Sequence, residues 1–577
     1  MRCLLALFVL LPALGVAQTL QTPYEASGGT QTATYAESIA WYQALAAAHP
    51  NRVVLTEIGM TDVGQPLHLV VVSNDGIAAP DDPRLRGRTV FLVNNGIHPG
   101  EPEGIDASML LARDLAQGKH PEWLAQTVLL IVPVFNVGGA LNRGPYSRAN
   151  QNGPAAYGFR GNARNLDLNR DFIKQDSRNA QSLIYGGFTQ WRPHLFLDNH
   201  TTNGADYPPA MTLIHSQRSK LAPALRSWFV DTLVAQLYAR HEALGHPLNP
   251  YYNPRYDQAE GGIVEFNDSP RYSTGFAALQ NCPGLVAEAH MLKPFAERVA
   301  ATRRLMEVLL EVLAQQGPRL RAMREAVDAE RPTRHVVAWA LDTTRVDSIR
   351  FYGYPARQKP SAIHGQPRTY YDRAAPWARS VPYWAHYRPT AEVAVPQAYI
   401  IPQAWGEVIE RLWRSGVGLQ RLKTDTTLEV TVYYLRQYQT AQRPYEGHYL
   451  HYSAQPEPKT ERLTYRAGDY LAYTDQPTWR VLVETLEPQG PDSYFSWGFF
   501  DSILQQKEYF SDYLWEDTAA DLLATDPDLR RRFEAAKAAD STLAQTPRAQ
   551  LNWLYRNSPY YEPTAYRYPI GRLERKP

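Results

Sequence analysis

The stretch that most constrains this chain runs from Thr89 to Leu115, TVFLVNNGIHPGEPEGIDASMLLARDL. Residues 90–93 are apolar without alternation, which suits a strand buried on both faces. Gly and Pro residues then break the chain, and an amphipathic helix is expected from Glu103 onward. A doubly buried strand passing straight into a helix opens an α/β layer, because such a strand has to be covered by helices. The turn itself carries His98 and Glu101, three residues apart in His98-Pro99-Gly100-Glu101. One loop tip can therefore offer an imidazole and a carboxylate to a single metal ion. Catalytic zinc is commonly held by two such neighbours and a distant histidine.

The rest of the first half follows the same grammar. AESIAWYQALAAAH after Thr34 predicts a helix stopped by Pro50, and residues 53–58 and 67–73 predict a strand pair around Gly64-Gln65-Pro66. TVLLIVPVFNVGG is another apolar strand, HLFLDNH ends one in His200, and LVAEAH carries Glu288 and His290 near the end of a third. A helix over 295–316 closes the unit. Strands separated by helices give the fold class α/β, a mainly parallel mixed sheet flanked by helices.

Beyond Pro332 the texture changes. HVVAWAL, EVTVYYL and WRVLVETL read as strands, WGEVIERLWRSG as a helix, and the charged tail over 504–554 as helical. These patterns predict a β-rich C-terminal accessory region, with boundaries at 1–17, 18–325 and 326–577. Of the 36 tyrosines, 24 follow residue 350, which would suit an aromatic binding platform. Strand surfaces and cores absorb tyrosine equally well, and that is the reading taken here.

The N-terminal segment has the form of a secretory signal: Arg2, the apolar run LLALFVLLPAL, then Gly15-Val16-Ala17 before Gln18. Cleavage near Ala17 predicts a secreted or periplasmic protein. The run is short for a span and no other stretch reaches one, so stable membrane insertion is not expected. Signal removal leaves Cys282 alone, so stability has to come from a large core or a metal, not from a disulfide within the chain. A formal net charge of +1 argues against nucleic acid as a partner. The oligomeric state is not set by these features.

Carboxyl ends of parallel strands converge on one edge, so a third ligand is sought just after an apolar strand. His200 meets that condition, and Glu288 sits where it can reach the same mouth. Two imidazoles and a carboxylate leave zinc an open position for water, and a second, unligated carboxylate can accept that water's proton. His215 and His290 are also at strand ends and are read as structural; Asp198 is read as a support for the site, and Glu103 as a residue of the helix that follows, favoured by the helix dipole.

This ordered set resembles the zinc metallocarboxypeptidases of the M14 family over roughly residues 35–315. FRGNARNLDLNRDF, from Phe159 to Phe172, is similar to that family's segment in which an Arg precedes a run ending in D-x-N-R-N-F. The resemblance implies His98, Glu101 and His200 as ligands of one zinc ion per chain, with Glu288 as general base and then acid. It implies Arg160 as oxyanion stabiliser, Asn169 and Arg170 as the site for a substrate's terminal carboxylate, and a tyrosine closing over the substrate. Tyr272 is the candidate for that tyrosine and Tyr256 the alternative; Arg164 competes with Arg160. Peptide or protein substrates follow. The pattern departs at Asp171, where the family has Asn. That extra charge motivates a second expectation, a zinc amidase or deacylase acting on cell-wall peptides or N-acyl amino acids. A third, from a different class, is a catalytically silent binding protein on a peptidase fold.

Overall fold

The computed structural model describes residues 20–202 and 204–575. The segment read as a signal lies outside the described residues. The first half contributes strands β1 (Val53–Met60), β2 (Pro66–Val72), β3 (Thr89–Asn94), β4 (Thr127–Val132), β5 (Leu195–Thr202), β6 (Met211–His215), β7 (Asn249–Pro250), β8 (Ile263–Val264) and β9 (Gly284–His290). All but β8 form one sheet in the order β1-β2-β4-β3-β5-β9-β6-β7. Its centre, β4-β3-β5-β9, is parallel, and β1, β2 and β6 add antiparallel pairs.

Side chains along β3 and β4 alternate between two cores, as the strand period demands. Phe91, Val93, Leu129 and Ile131 face helices Tyr35–Ala48, Glu103–Ala116 and Phe295–Asp328. Val90, Leu92, Val128 and Leu130 face the opposite core, with Phe172, Phe188 and Phe276. Helix Tyr35–Ala48 starts where the sequence places it because Thr34 and Glu37 form a reciprocal capping box. Helix Phe295–Asp328 runs beyond the expected 316, straight through Pro318. Gly317 lets it lie against the Thr89 side chain, and Leu320 and Val327 stay buried beyond the proline.

The second half is β-rich. β10 (Arg334–Leu341) pairs with β15 (Tyr387–Ala394), β11 (Asp347–Gly353) with β14 (Trp377–Trp384), and β12 (Ala356–Pro360) with β13 (Pro367–Tyr371), all antiparallel. A further sheet joins β16 (Ala398–Ile401), β17 (Gln420–Arg421), β18 (Thr426–Thr440), β19 (His451–Tyr465), β20 (Tyr470–Tyr473) and β21 (Gly571–Leu573). Four helices between Asp512 and Arg556 make the expected helical tail. One expected strand is wrong: WRVLVETL is the helix Trp479–Leu486, with all eight residues buried. Its polar residues Arg480, Glu484 and Thr485 are spaced as on one helical face, a period that the β-branched and apolar residues around them masked over so short a run. Its Arg480 donates to the carbonyl of Ala278 at 2.7 Å, tying it to the first half.

The two halves share a core. Leu92, Phe196 and Phe276 belong to the same cluster as Trp479, Leu482 and Trp497, and β14 pairs in parallel with β8. Many of the C-terminal tyrosines are core residues: Tyr399, Tyr433, Tyr434, Tyr465, Tyr494, Tyr555 and Tyr568 are buried. No described helix is long and apolar enough to cross a membrane.

Candidate metal centre and substrate pocket

β3 ends at Asn94, and Gly96 takes a φ of +62° that a side-chain-bearing residue adopts only under strain. The chain turns there into His98-Pro99-Gly100-Glu101, closed by the Glu101 N–H donating to the His98 carbonyl at 2.8 Å. Helix Glu103–Ala116 then packs down on the sheet at Gly104, where a Cβ would collide with Asn95 and Asn199. The turn is thereby fixed over the end of β5, beside His200. β5 and β9 are parallel neighbours whose register sets His200 opposite Glu288.

Three buried donors converge at this edge. His98 Nδ1 lies 3.3 Å and His200 Nδ1 3.2 Å from Glu101 Oε2. These separations match the roughly 3.3 Å expected between ligand atoms that each stand ~2.0–2.1 Å from a tetrahedral zinc. The opposite ring nitrogens each face a carboxylate. His98 Nε2 is 2.9 Å from Asp167 Oδ1, and His200 Nε2 is 3.0 Å from Asp198 Oδ2. Asp198 is itself held by the Asn94 amide at 2.9 Å. A carboxylate behind each imidazole favours the tautomer with hydrogen on Nε2, leaving both Nδ1 lone pairs aimed at one point. The residues therefore fit a zinc ion on the chemistry and spacing of the donor set.

Burial disfavours ionisation of Glu101, but Arg148 and His98, with the hydrogen bond from His200, outweigh it and hold the carboxyl well below its usual range. Burial likewise opposes the charge on Asp167; His98, Arg160 and Arg170 overcome it and keep Asp167 ionised far into acid. Glu288 goes the other way. Burial, reinforced by the charge of Glu101, pushes it up to about 7 against the opposing pull of His200, His98 and Arg148. A group that exchanges its proton near neutrality is suited to general acid–base work.

The expected site residues are brought together. His98, Glu101, Arg160, Asn169, Arg170, His200, Tyr272 and Glu288 line one pocket. Arg160 donates to Asp167 at 2.8 and 3.0 Å and reaches 3.3 Å from His98 Nδ1. Arg164 turns away to the Asp176 carbonyl, so it does not compete with Arg160 for the pocket. Arg170 lies 4.5 Å over the Tyr272 ring, and Asn169 accepts from the Ser273 N–H at 3.1 Å. Asp171 is completely buried and takes the Lys174 ammonium at 2.8 Å together with the N–H groups of Asp176 and Ser177. Its charge is spent inside the loop, away from the carboxylate site.

Tyr256 is 61% exposed and is not among the lining residues. Glu103 is no metal ligand, but it is more than a helix-start residue, being a buried brace paired with Arg298 at 2.5 Å and hydrogen-bonded by Thr201. His290 pairs with Asp206 at 3.0 Å and His215 lies 3.7 Å from Glu265, both outside the lining. Two participants escaped the sequence reading. Arg148 pairs with Glu101 Oε1 at 2.5 Å from a loop with no periodicity to mark it. Tyr251 lines the pocket, and Glu288 is the foremost cause raising its phenol pKa, which places the two close together.

Comparison with known proteins gives a family match for part of the first half. Residues 38–201 match the zinc carboxypeptidase family. This segment belongs to that family. Among relatives, Carboxypeptidase 2 of Trichophyton equinum is 23% identical over 455 residues, covering 75% of this chain and 77% of its own length. Carboxypeptidase 2 of Trichophyton rubrum is 22% identical with the same coverages. These matches run longer than residues 18–325 alone, so the likeness to the two fungal proteins continues into the C-terminal region. A metallo-carboxypeptidase structure from Burkholderia cenocepacia aligns over 50% of this chain and 70% of its own, at 16% identity and a TM-score of 0.37.

Proposed function

We propose that this zinc carboxypeptidase family member is an exported exopeptidase that removes the C-terminal residue of peptides, using one zinc ion per chain. The observation that carries the metal assignment is the pairing of each imidazole: Nδ1 toward Glu101, Nε2 toward an aspartate carboxylate. His98, Glu101 and His200 would hold the zinc, which would supply Lewis-acid activation of a water and of the scissile carbonyl.

The chain's own groups do the rest. Glu288 takes a proton from the attacking water and later delivers it to the leaving amine. Arg160, held by Asp167, offers a fixed cation to the oxygen on which negative charge develops. Arg170, with Asn169 beside it, pairs its planar fork with the substrate's terminal carboxylate. Of the two lining tyrosines, Tyr272 gives its ring face to Arg170, so Tyr251 is the one we assign to the substrate near Glu288. Ile214, Phe266 and Val286 line the same pocket and suit an uncharged terminal side chain. The inward turn of Asp171 removes the motive for the amidase or deacylase alternative.

The test is a pair of peptides differing only in a free C-terminal carboxylate or its amide. Stepwise loss of one residue from the free acid, at least tenfold faster than any cleavage of the amide, is expected from losing a charged, bidentate partner of Arg170. Equal rates would rule the exopeptidase reading out.

A further inference from the structure

The hairpin joining β18 to β19 reaches from the other half of the chain to the segment that carries Asp167 and Arg170. At its tip the Tyr445 N–H donates to the His448 carbonyl at 2.8 Å, and Gly447 comes against Leu166. Each of three neighbouring residues grips the segment that carries the candidate site. Arg170 Nε donates to the Tyr445 hydroxyl at 2.9 Å, and the Asp167 N–H donates to Glu446 Oε2 at 2.8 Å. His448 Nε2 lies 2.6 Å from Asp176 Oδ2. Behind the tip, Arg271 stacks over Tyr445 at 5.5 Å and Trp497 at 4.9 Å, and Asp492 holds that guanidinium at 2.7 Å.

The contacts fall on two groups with defined work. With Nε on Tyr445, one Nη on the Asn169 carbonyl and Tyr272 beneath its plane, the Arg170 guanidinium has its orientation set from three sides. Its other Nη makes no hydrogen bond to a described residue, leaving an edge for a carboxylate. Asp167 stands behind His98, so Glu446 secures the backbone of the residue that fixes this imidazole. Glu446 does so at a φ of +50°, a left-handed conformation that glycine adopts freely and glutamate does not. A side chain kept at a strained position next to a functional group points to a use for that side chain.

We propose that the tip of this hairpin braces the substrate pocket from behind its lining, with Tyr445 a positioning residue for Arg170 and Glu446 one for Asp167. The proposal rests on the exopeptidase reading of Arg170 and Asp167. It makes the C-terminal half part of the carboxylate-recognition apparatus of this chain. Substrate class is then enforced from outside the segment matching the zinc carboxypeptidase family.

The test uses full-length Tyr445→Phe and Glu446→Gly, each followed by thermal melting, steady-state kinetics on the free-acid and amide peptides, and zinc affinity by chelator competition. Tyr445→Phe keeps the ring under Arg271 and removes only the hydroxyl. It is expected to raise KM for the free acid about five- to tenfold with kcat within about twofold, narrowing the acid-to-amide preference. Glu446→Gly relieves the left-handed position and is expected to melt at or above the wild-type temperature while binding zinc about tenfold more weakly. Wild-type kinetics and zinc affinity in both variants would overturn the proposal whatever their melting temperatures. Should the wild-type enzyme itself fail to prefer the free acid, the exopeptidase reading falls, and the zinc affinity of Glu446→Gly still decides whether the hairpin holds Asp167 in place.

Discussion

Replacing Asp167 by Asn isolates the most loaded second contact of the metal centre. The carboxylate receives His98 Nε2 at 2.9 Å on one oxygen and the Arg160 guanidinium at 2.8 and 3.0 Å on the other. An amide has a single acceptor oxygen, so it cannot serve both. If its oxygen stays with Arg160, its NH2 faces His98 Nε2 and favours the tautomer with hydrogen on Nδ1, the atom needed for the metal. If its oxygen serves His98, Arg160 is released and can tighten its 3.5 Å contact with Glu101, another ligand. Either outcome opposes zinc. Loss of an outer partner of a metal histidine weakens binding about 10–100-fold, or ~1.4–2.7 kcal/mol. Zinc affinity of Asp167→Asn and wild type, measured by competition with a coloured chelator, reads this directly, with circular dichroism to establish that both fold alike. An affinity within twofold of wild type in a folded variant would refute the role given to Asp167 and, with it, the assignment of Nδ1 as the His98 donor.

Three other outcomes follow from the same geometry. Arg170→Lys keeps the charge but loses the planar fork and the Nε contact with Tyr445, and is expected to raise KM for free-acid peptides about 10-fold or more, visible in initial rates. Tyr272→Phe preserves the ring beneath Arg170 and should change kcat/KM by less than about twofold, whereas Tyr251→Phe should lower it about 10-fold if the Tyr251 hydroxyl meets the substrate. The third is a stability effect: burial pushes Asp106 up to about 7 from an ordinary value of 3.8, so between those values the folded chain holds a proton the unfolded chain has released. Its contribution to stability therefore declines as pH rises through that window, by an amount on the order of a few kcal/mol, and Asp106→Asn should flatten the fall in melting temperature between pH 5 and 8.

How much of this was legible beforehand depended on whether a residue's role was tied to a periodic element. His98, Glu101, His200 and Glu288 sit at or near the carboxyl ends of apolar strands, and a strand's end can be read from where its pattern stops. The mainly parallel sheet follows from the same strands and the helices between them. Arg148 lies in an irregular loop, and nothing local distinguishes it from any surface arginine; its partner Glu101 is 47 residues away. Tyr445 and Glu446 are harder still, since their contacts with Arg170 and Asp167 span 275 and 279 residues and depend on how two sheets pack. The helix Trp479–Leu486 failed for a different reason: Arg480, Glu484 and Thr485 carry a helical spacing, but over a run too short to outweigh the β-branched and apolar residues around them. Asp171 was readable as a departure in sequence, but its direction was not: the loop folds it onto Lys174 and Ser177, where its charge has no access to the pocket.

Metal analysis and product analysis of wild type and Glu288→Gln, on one preparation of each, test the proposed chemistry most directly. The expected result is one zinc per chain in both proteins, release of a single C-terminal amino acid by wild type, and a rate lower by about 10²–10⁴ in Glu288→Gln, since the metal set is intact and only the proton acceptor is gone. Zinc-loaded Glu288→Gln releasing that amino acid at the wild-type rate, or wild type folded and active without zinc, would contradict it.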